Sequence, residues 1–319
     1  MTPSETKQQI MEQALRLGFN DCRFTTAEPP ASSDVFLRWL AEGCHAGMRW
    51  MESERSIRGR LDPRKTLTDA KTVICLAASY YLTGPQNTSV ARYARVADYH
   101  ETLQTPLRQL CAFIENIEAP NSHVAAVFAS DSSHLLERDL AQRAGLGFIG
   151  KHNNLISPKL GNWFFLSEII TTLELEPDPP LDIQCGSCDR CLRACPTGAL
   201  RERHLDARRC LSYLTIEHRG DIPSEFHAAM GNRFFGCDRC LEACPWNRFA
   251  RPSTMPPMEL DDRLFSTELL GSLDNAAFKQ RFAGTAFLRA KRDGLLRNLL
   301  ITEKNRGQGS IERTTDRHG

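Results

Sequence analysis

The sequence predicts an α/β domain of mixed, α+β character, followed by a compact cysteine-rich domain and a short helical C-terminal segment. Three observations carry this reading. Strand-like and helix-like stretches alternate up to about residue 175, as expected for a sheet layered with helices. Eight of the 12 cysteines fall between Cys185 and Cys244. Prolines gather at Pro177, Pro179 and Pro180, and again at Pro252, Pro256 and Pro257, and mark two joints. The expected divisions are residues 1–176, 177–250 and 251–319. A chain of 319 residues has room for about two domains of roughly 150 residues each, so the last segment is too small for an independent third.

Taken in order, residues 4–17 place Ile10, Met11, Ala14, Leu15 and Leu17 at helical spacing, with Gly18 as the stop. Residues 34–43 make a second short helix. After the Asp62-Pro63 turn, Thr72–Tyr80 is β-branched and apolar and reads as a buried strand. Pro106–Ile117 is helical and His123–Ala129 is another strand. A polar knot, Ser130-Asp131-Ser132-Ser133, then leads into a helix over Leu135, Leu136 and Leu140 that closes near Gly145. Trp163–Leu175 is a long strand, half exposed at its end. Residues 262–300 carry Phe278, Phe282, Phe287, Leu295 and Leu299 at helical spacing. The last fifteen or so residues are polar and are expected to be disordered.

Composition excludes several classes. The chain is 41% hydrophobic and 25% charged, ordinary for a folded globular protein. Its net charge of +1 announces no nucleic-acid or membrane partner, so any basic surface must be local. No apolar run reaches the roughly 18 to 20 residues that span a bilayer. The N-terminus lacks a secretory apolar region, so a cytoplasmic location is expected.

In a reducing compartment, close CxxC spacing points to metal rather than disulfides. The first run is Cys185-x2-Cys188-x2-Cys191-x3-Cys195-Pro196, the bacterial ferredoxin spacing, in which three thiolates hold one cluster and the fourth reaches another. The second run, Cys237-x2-Cys240-x3-Cys244-Pro245, has Phe234 where its first cysteine should stand. Crosswise assignment gives Cys185, Cys188, Cys191 and Cys244 to one 4Fe–4S cluster. The other takes Cys195, Cys237, Cys240 and the unattached Cys210; water, or a carboxylate such as Asp238, is the competing fourth ligand. Two structural zinc sites would leave the CxxCxxC triplet and both Cys-Pro endings unexplained. Cys22, Cys44, Cys75 and Cys111 are expected to be buried core thiols. Two interleaved clusters make a short wire, and a wire needs somewhere to deliver electrons.

Gly145-Leu-Gly147-Phe-Ile-Gly150 spells GxGxxG but follows a helix rather than a strand, so the glycines read as a helix stop and tight turn. Asp98-Tyr99-His100-Glu101-Thr102-Leu103 resembles the start of a cobalt-ligating DxHxxG motif, but Leu103 replaces the glycine. A buried, hydrogen-bonded His100 is expected instead. Asp131 follows a strand and precedes a helix, the usual place for functional groups when strands and helices alternate; the plainer reading is a helix N-cap.

These pieces together resemble epoxyqueuosine reductases. The resemblance runs from about residue 5 to 300 and is carried by Leu135–Lys151, the double cysteine block, Arg209–Gly220, Asn232–Cys240 and Cys244-Pro-Trp-Asn247. It implies a cobalamin-binding α/β domain, related to that of reductive dehalogenases, joined to a ferredoxin-like domain with two 4Fe–4S clusters. It implies reduction of epoxyqueuosine to queuosine at the tRNA wobble position, with an external electron donor. Asp131 matches the family's proton donor, although Ser132-Ser133-His134 departs from the usual Thr-Gly-Pro continuation. Arg60, Lys151 and Ser212 match cofactor-contacting positions, and Asp238 is counted with them. His218 and Arg219 match contacts to tRNA carrying epoxyqueuosine in its anticodon loop. Other local basic stretches are Arg201 to Arg209 and Lys291, Arg292 and Arg297. The remaining expectations are a monomer and no membrane. The rival readings are a reductive-dehalogenase-like enzyme acting on a small molecule, and a non-enzymatic electron carrier.

Overall fold

The computed structural model describes residues 2–83, 89–118, 123–131, 134–258 and 265–315, with side chains through residue 307. Ser132 and Ser133 of the polar knot, and the start of the 262–300 helical stretch, lie outside the described residues. The first helix, Pro3–Arg16, begins on a reciprocal cap: Thr2 Oγ1 accepts the Glu5 amide while the Glu5 carboxylate accepts the Thr2 amide.

The centre of the first domain is a four-stranded sheet of β1 (Asp21–Thr26), β2 (Thr72–Ser79), β3 (Ala126–Ala129) and the later strand Phe164–Thr171. Between β3 and that strand lie β4 (Phe148–Ile149) and β5 (Leu155–Ile156), a small hairpin, so Phe164–Thr171 is β6. The order is β1-β2-β6-β3 and every pairing is antiparallel. Alternation of strands and helices therefore produces α+β layering here, not parallel crossovers. β2 is buried at all eight positions because both sheet faces are covered. On one face lie Pro3–Arg16 and the helix Gln104–Glu115, packing Ile10, Leu107, Leu110 and Ile114 on Phe24, Ile74 and Leu76. On the other, the helix Glu137–Arg143 packs Leu140 and Ala141 on Val73, Cys75, Ala77 and Ile170.

The cysteine-rich block is built on two short helices, Arg190–Ala194 and Arg239–Glu242, which pack on each other. It is fastened to the first domain by Phe148 against Trp246, edge to face at 5.2 Å. The proline-marked stretch after it runs back as a strap, pairing Tyr81 with Pro252 and Val96 with Pro257. The helix Lys291–Thr315 closes the fold. Its buried Asn298 donates through Nδ2 to the carbonyls of Thr215 (2.7 Å) and Phe234 (2.8 Å). Asn305 holds the carbonyls of His227 and Gly231 in the same way. This helix runs to Thr315, into the polar tail; residues 316–319 lie outside the described residues. No helix among the described residues is long and apolar enough to cross a membrane.

Candidate active site and cysteine clusters

Asp131 sits two residues beyond the end of β3 with φ +52°, in the left-handed region that aspartate tolerates better than most residues. The bend turns its carboxylate out of the sheet, where the side chain is 63% exposed. Two residues from a distant turn hold it there. Tyr99 Oη donates to Asp131 Oδ2 at 2.5 Å, and His100 Nε2 lies 3.5 Å from the same oxygen. The tyrosine is fixed by stacking on Phe165, with ring centres 4.1 Å apart. His100 Nδ1 meets Asp98 Oδ1 at 2.9 Å, so the imidazole bridges two carboxylates. His100 is hydrogen-bonded as expected, but it is exposed rather than buried. Its partners are acidic and reach it from the surface, so it needs no core around it.

Hydrogen bonds to Asp131 and Asp98 raise the His100 pKa to about 9, against the penalty of partial burial. Asp131 moves the other way. Its protein-dense surroundings push the carboxyl up, but the bonds from His100 and Tyr99 outweigh this and leave it below the usual range. The His100 contribution to stability is complete below its unfolded pKa of about 6.5 and is lost as pH rises through about 9. NMR titration of the imidazole is expected to show a midpoint near 9 that drops toward the ordinary range in Asp131→Asn. An unchanged midpoint in the variant would mean that the two side chains do not interact.

Arg60 lies behind this turn, buried, with its guanidinium on the Ser56 carbonyl and hydroxyl and 3.4 Å from His134 Nδ1. Phe36 and Trp50 flank it at 5.7 and 5.5 Å, and burial lowers its pKa. Glu137 Oε1 accepts the Asp131 amide at 2.7 Å. Lys151 is paired loosely with Glu202 at 3.7 Å. Asp238 is buried and accepts the Arg92 amide at 2.6 Å; burial raises its carboxyl to about 6. The Arg219 guanidinium is spent on backbone carbonyls, those of Ile216, Ala290 and Arg289. His218 Nε2 lies 2.9 Å from the Asp221 carbonyl. Arg297 donates to the carbonyls of Leu214, His218 and Gly220. The 214–221 turn is thus braced by two arginines, an engagement that runs of basic residues do not reveal.

The cysteines fall into two groups. Cys185, Cys188, Cys191 and Cys244 line one open pocket with His152 and Trp246. The Cys240 thiol is instead raised well above the usual range by burial and then by its neighbours Cys210, Cys237 and Cys195. Donors are aimed at several sulfurs: the Ser212 and Tyr213 amides at Cys210, the Arg239 amide at Cys237, and the Trp246 amide at Cys244. Cys195 Sγ lies 3.7 Å from the Thr197 hydroxyl and also meets neighbouring amides. Burial pushes the Cys210, Cys237 and Cys244 thiols up, and these donors work against it by favouring the thiolate, the form that binds metal. Phe234, in place of the missing cysteine, is buried among Phe265, Phe282 and Phe287. Cys22, Cys75 and Cys111 are buried in the core as expected, but the buried Cys44 lies outside it, with its sulfur against Glu42, His204 and Arg208 because the 204–208 segment packs over it.

Tyr99 and Glu137 were not singled out by sequence reading, nor was Glu168, which lies in the middle of β6. The signals existed: Tyr99 adjoins the noted His100, and Glu168 interrupts an otherwise uncharged buried strand.

Residues 184–247 match the family model described as a 4Fe-4S double cluster binding domain. Residues 60–132, from Arg60 to just past Asp131, match the one described as Epoxyqueuosine reductase QueG, DUF1730. An epoxyqueuosine reductase from Leadbetterella byssophila is 35% identical over 93% of this chain and 98% of its own. A solved epoxyqueuosine reductase bound to an epoxyqueuosine-modified tRNA-Tyr stem loop superposes with TM-score 0.83 at 30% identity, covering 94% of this chain and 81% of that one. The Bacillus subtilis epoxyqueuosine reductase, with its catalytic aspartate loop swung out of the active site, also gives 0.83, at 29% identity over 94% of this chain and 82% of that one. With an antiparallel sheet that presents one bent, half-free aspartate, and a double-cluster cysteine set packed beside it, the chain belongs to the epoxyqueuosine reductase family.

Proposed function

We propose that this chain reduces epoxyqueuosine to queuosine at the wobble position of tRNA, with Asp131 delivering a proton to the epoxide oxygen. The observation that carries the reading is Asp131 itself: a carboxylate bent out of a strand end, open to solvent, and gripped by Tyr99 and His100. An epoxide oxygen needs a proton as its bond to carbon breaks, and a carboxyl within hydrogen-bond reach supplies it. The test is nucleoside analysis of tRNA from a strain lacking the protein. Epoxyqueuosine is expected to accumulate and queuosine to disappear; an unchanged profile would remove the assignment.

The two cysteine groups are the proposed ligands of two 4Fe–4S clusters, one on Cys185, Cys188, Cys191 and Cys244 and one on Cys195, Cys210, Cys237 and Cys240. The fit rests on the shared cavity and on the amides aimed at the sulfurs. Cobalamin, the cofactor expected for the family, supplies when bound a cobalt reduced enough to attack or bind the epoxide carbon. The residues around Asp131 are compatible with it: Arg60 is buried and, among the described residues, makes no ion pair, which leaves it placed to receive an anionic or carbonyl group. Lys151, Ser212 and Asp238 are proposed as its further support. An external one-electron donor, a cytoplasmic setting and a monomeric state complete the reading.

For RNA contact, His218 and Arg219 remain the proposed residues, and the structure adds a condition. Because the Arg219 guanidinium ties the 216–220 turn to residues 289–290, its side chain shapes the surface as well as charging it. Arg219→Ala is expected to weaken tRNA binding and to flatten its salt dependence by about one unit of slope if one phosphate contact is lost. Iron and cobalamin content should not change. Lost affinity with an unaltered slope would make Arg219 a brace only.

A further inference from the structure

Behind Asp131 lie two carboxyls, the fully buried Glu168 and the half-buried Glu137, whose presence packing alone does not explain. Glu168 is the one charged residue of β6 and is fully enclosed between Cys75 of β2 and Ala129 of β3. Both its oxygens are shut off from solvent and make no hydrogen bond of ordinary geometry with the described residues. What Glu168 does meet is the side chain of Glu137, the first residue of the helix laid across β2 and β6. Glu137 in turn accepts the amide of Asp131 at 2.7 Å. The three carboxyls thus run from the interior of the sheet to its open end.

Two carboxyls in contact inside a protein cannot both ionise without strong repulsion, and the pair is stable when it keeps a proton. Burial and the Asp131 charge push Glu137 up to about 7, and burial pushes Glu168 well above the usual range. The other groups that face the pair are the Cys75 thiol from β2, Arg138 on the same helix and Arg60 from the helix Glu54–Leu61. Arg138 and Arg60 act on Glu137 through space and favour its ionised form, so the buried Glu168 is the firmer holder of the proton.

We propose that Glu168 and Glu137 are a proton store that recharges Asp131, an inference that rests on the epoxide-reductase reading. Removing an epoxide oxygen as water consumes two electrons and two protons: both C–O bonds break and a carbon–carbon double bond forms. The electrons come from an external one-electron reductant. Asp131, whose exposed carboxylate takes up one proton from solvent as the substrate binds, gives it to the oxygen as the first C–O bond breaks, which leaves Asp131 a carboxylate again and the oxygen one proton short. The store returns a proton to Asp131, which passes it on as the second C–O bond breaks and water leaves. Between turnovers the store refills from solvent. Glu137 and Glu168 act through Asp131 and touch neither substrate nor cofactor.

The test uses the holoenzyme and the variants Glu168→Gln and Glu137→Gln, which keep size and polarity but cannot hold an acid proton. Infrared difference spectra across pH are expected to show the carbonyl stretch of a buried protonated carboxyl in the wild type at pH 7, absent in Glu168→Gln. Turnover by Glu168→Gln is expected to fall at least about tenfold in kcat with KM for tRNA unchanged, and the alkaline limb of kcat should move to lower pH. Glu137→Gln should lose that limb. Absence of the protonated band in the wild type overturns the proposal whatever the activity, as does an unaltered pH profile in both folded variants. No turnover by the wild-type holoenzyme overturns the reaction reading and the relay with it. A carboxyl band that persists there marks the reaction, rather than the buried pair, as the point of failure.

Discussion

Asp131→Asn is expected to leave a folded, cofactor-loaded protein that turns over about 10² to 10⁴ times more slowly, the usual worth of a general acid. The substitution isolates the proton. Asparagine is nearly the same size and adopts the left-handed backbone at φ +52° at least as readily as aspartate. Its amide oxygen still accepts the Tyr99 hydroxyl, and the bond from the Asp131 amide to Glu137 belongs to the backbone and survives. Cobalamin and cluster absorbance should be unchanged, and so should tRNA affinity. Because Asp131 lies below the ordinary carboxylate range in the resting protein, the acid form must be generated during turnover, and asparagine removes that possibility altogether. Near-normal activity would leave Asp131 a turn residue only, since the N-cap of the helix Glu137–Arg143 is Leu136 and not Asp131.

What the sequence discloses and what it hides divide along the range of the interactions. Cluster ligation is local: CxxCxxC and the Cys-Pro endings encode it in consecutive residues, and the thiols do gather in two groups. The position of Asp131 is also local, a polar residue where an apolar strand stops. Strand direction is not. Thr72–Ser79 is buried on both faces, so its pattern carries no period, and nothing in it separates parallel from antiparallel neighbours. The hold of Tyr99 and His100 on Asp131 spans 32 residues of chain and exists only once the helix Gln104–Glu115 has packed on the sheet. Charge runs mislead for the same reason. Arg219 and Arg297 read as free cations, yet the fold surrounds them with carbonyl groups that accept their guanidinium hydrogens.

The second large effect is expected at Cys210. The second cysteine run lacks its first member, and Phe234, which occupies the place, is sealed in an aromatic cluster and cannot bind iron. A complete second cubane therefore needs a thiolate from elsewhere in the chain. Cys210 stands at the start of the helix Leu211–Ile216, with the Ser212 and Tyr213 amides directed at its sulfur, and it shares the surroundings of Cys240 with Cys237 and Cys195. The competing carboxylate, Asp238, already accepts the Arg92 amide at 2.6 Å. Cys210→Ser is expected to convert one cluster to a three-iron form or abolish it. Iron should fall from about eight per chain to about seven or about four, because only one of the two cubanes is touched. The cluster on Cys185, Cys188, Cys191 and Cys244 should persist in low-temperature EPR, since its cavity contains no part of the Cys210 turn. Cobalamin should still bind, while its reduction by an external donor slows. Iron unchanged at about eight per chain, with two intact cubane signals, would show that Cys210 is an inert thiol and that the second cluster completes its shell with water or another side chain.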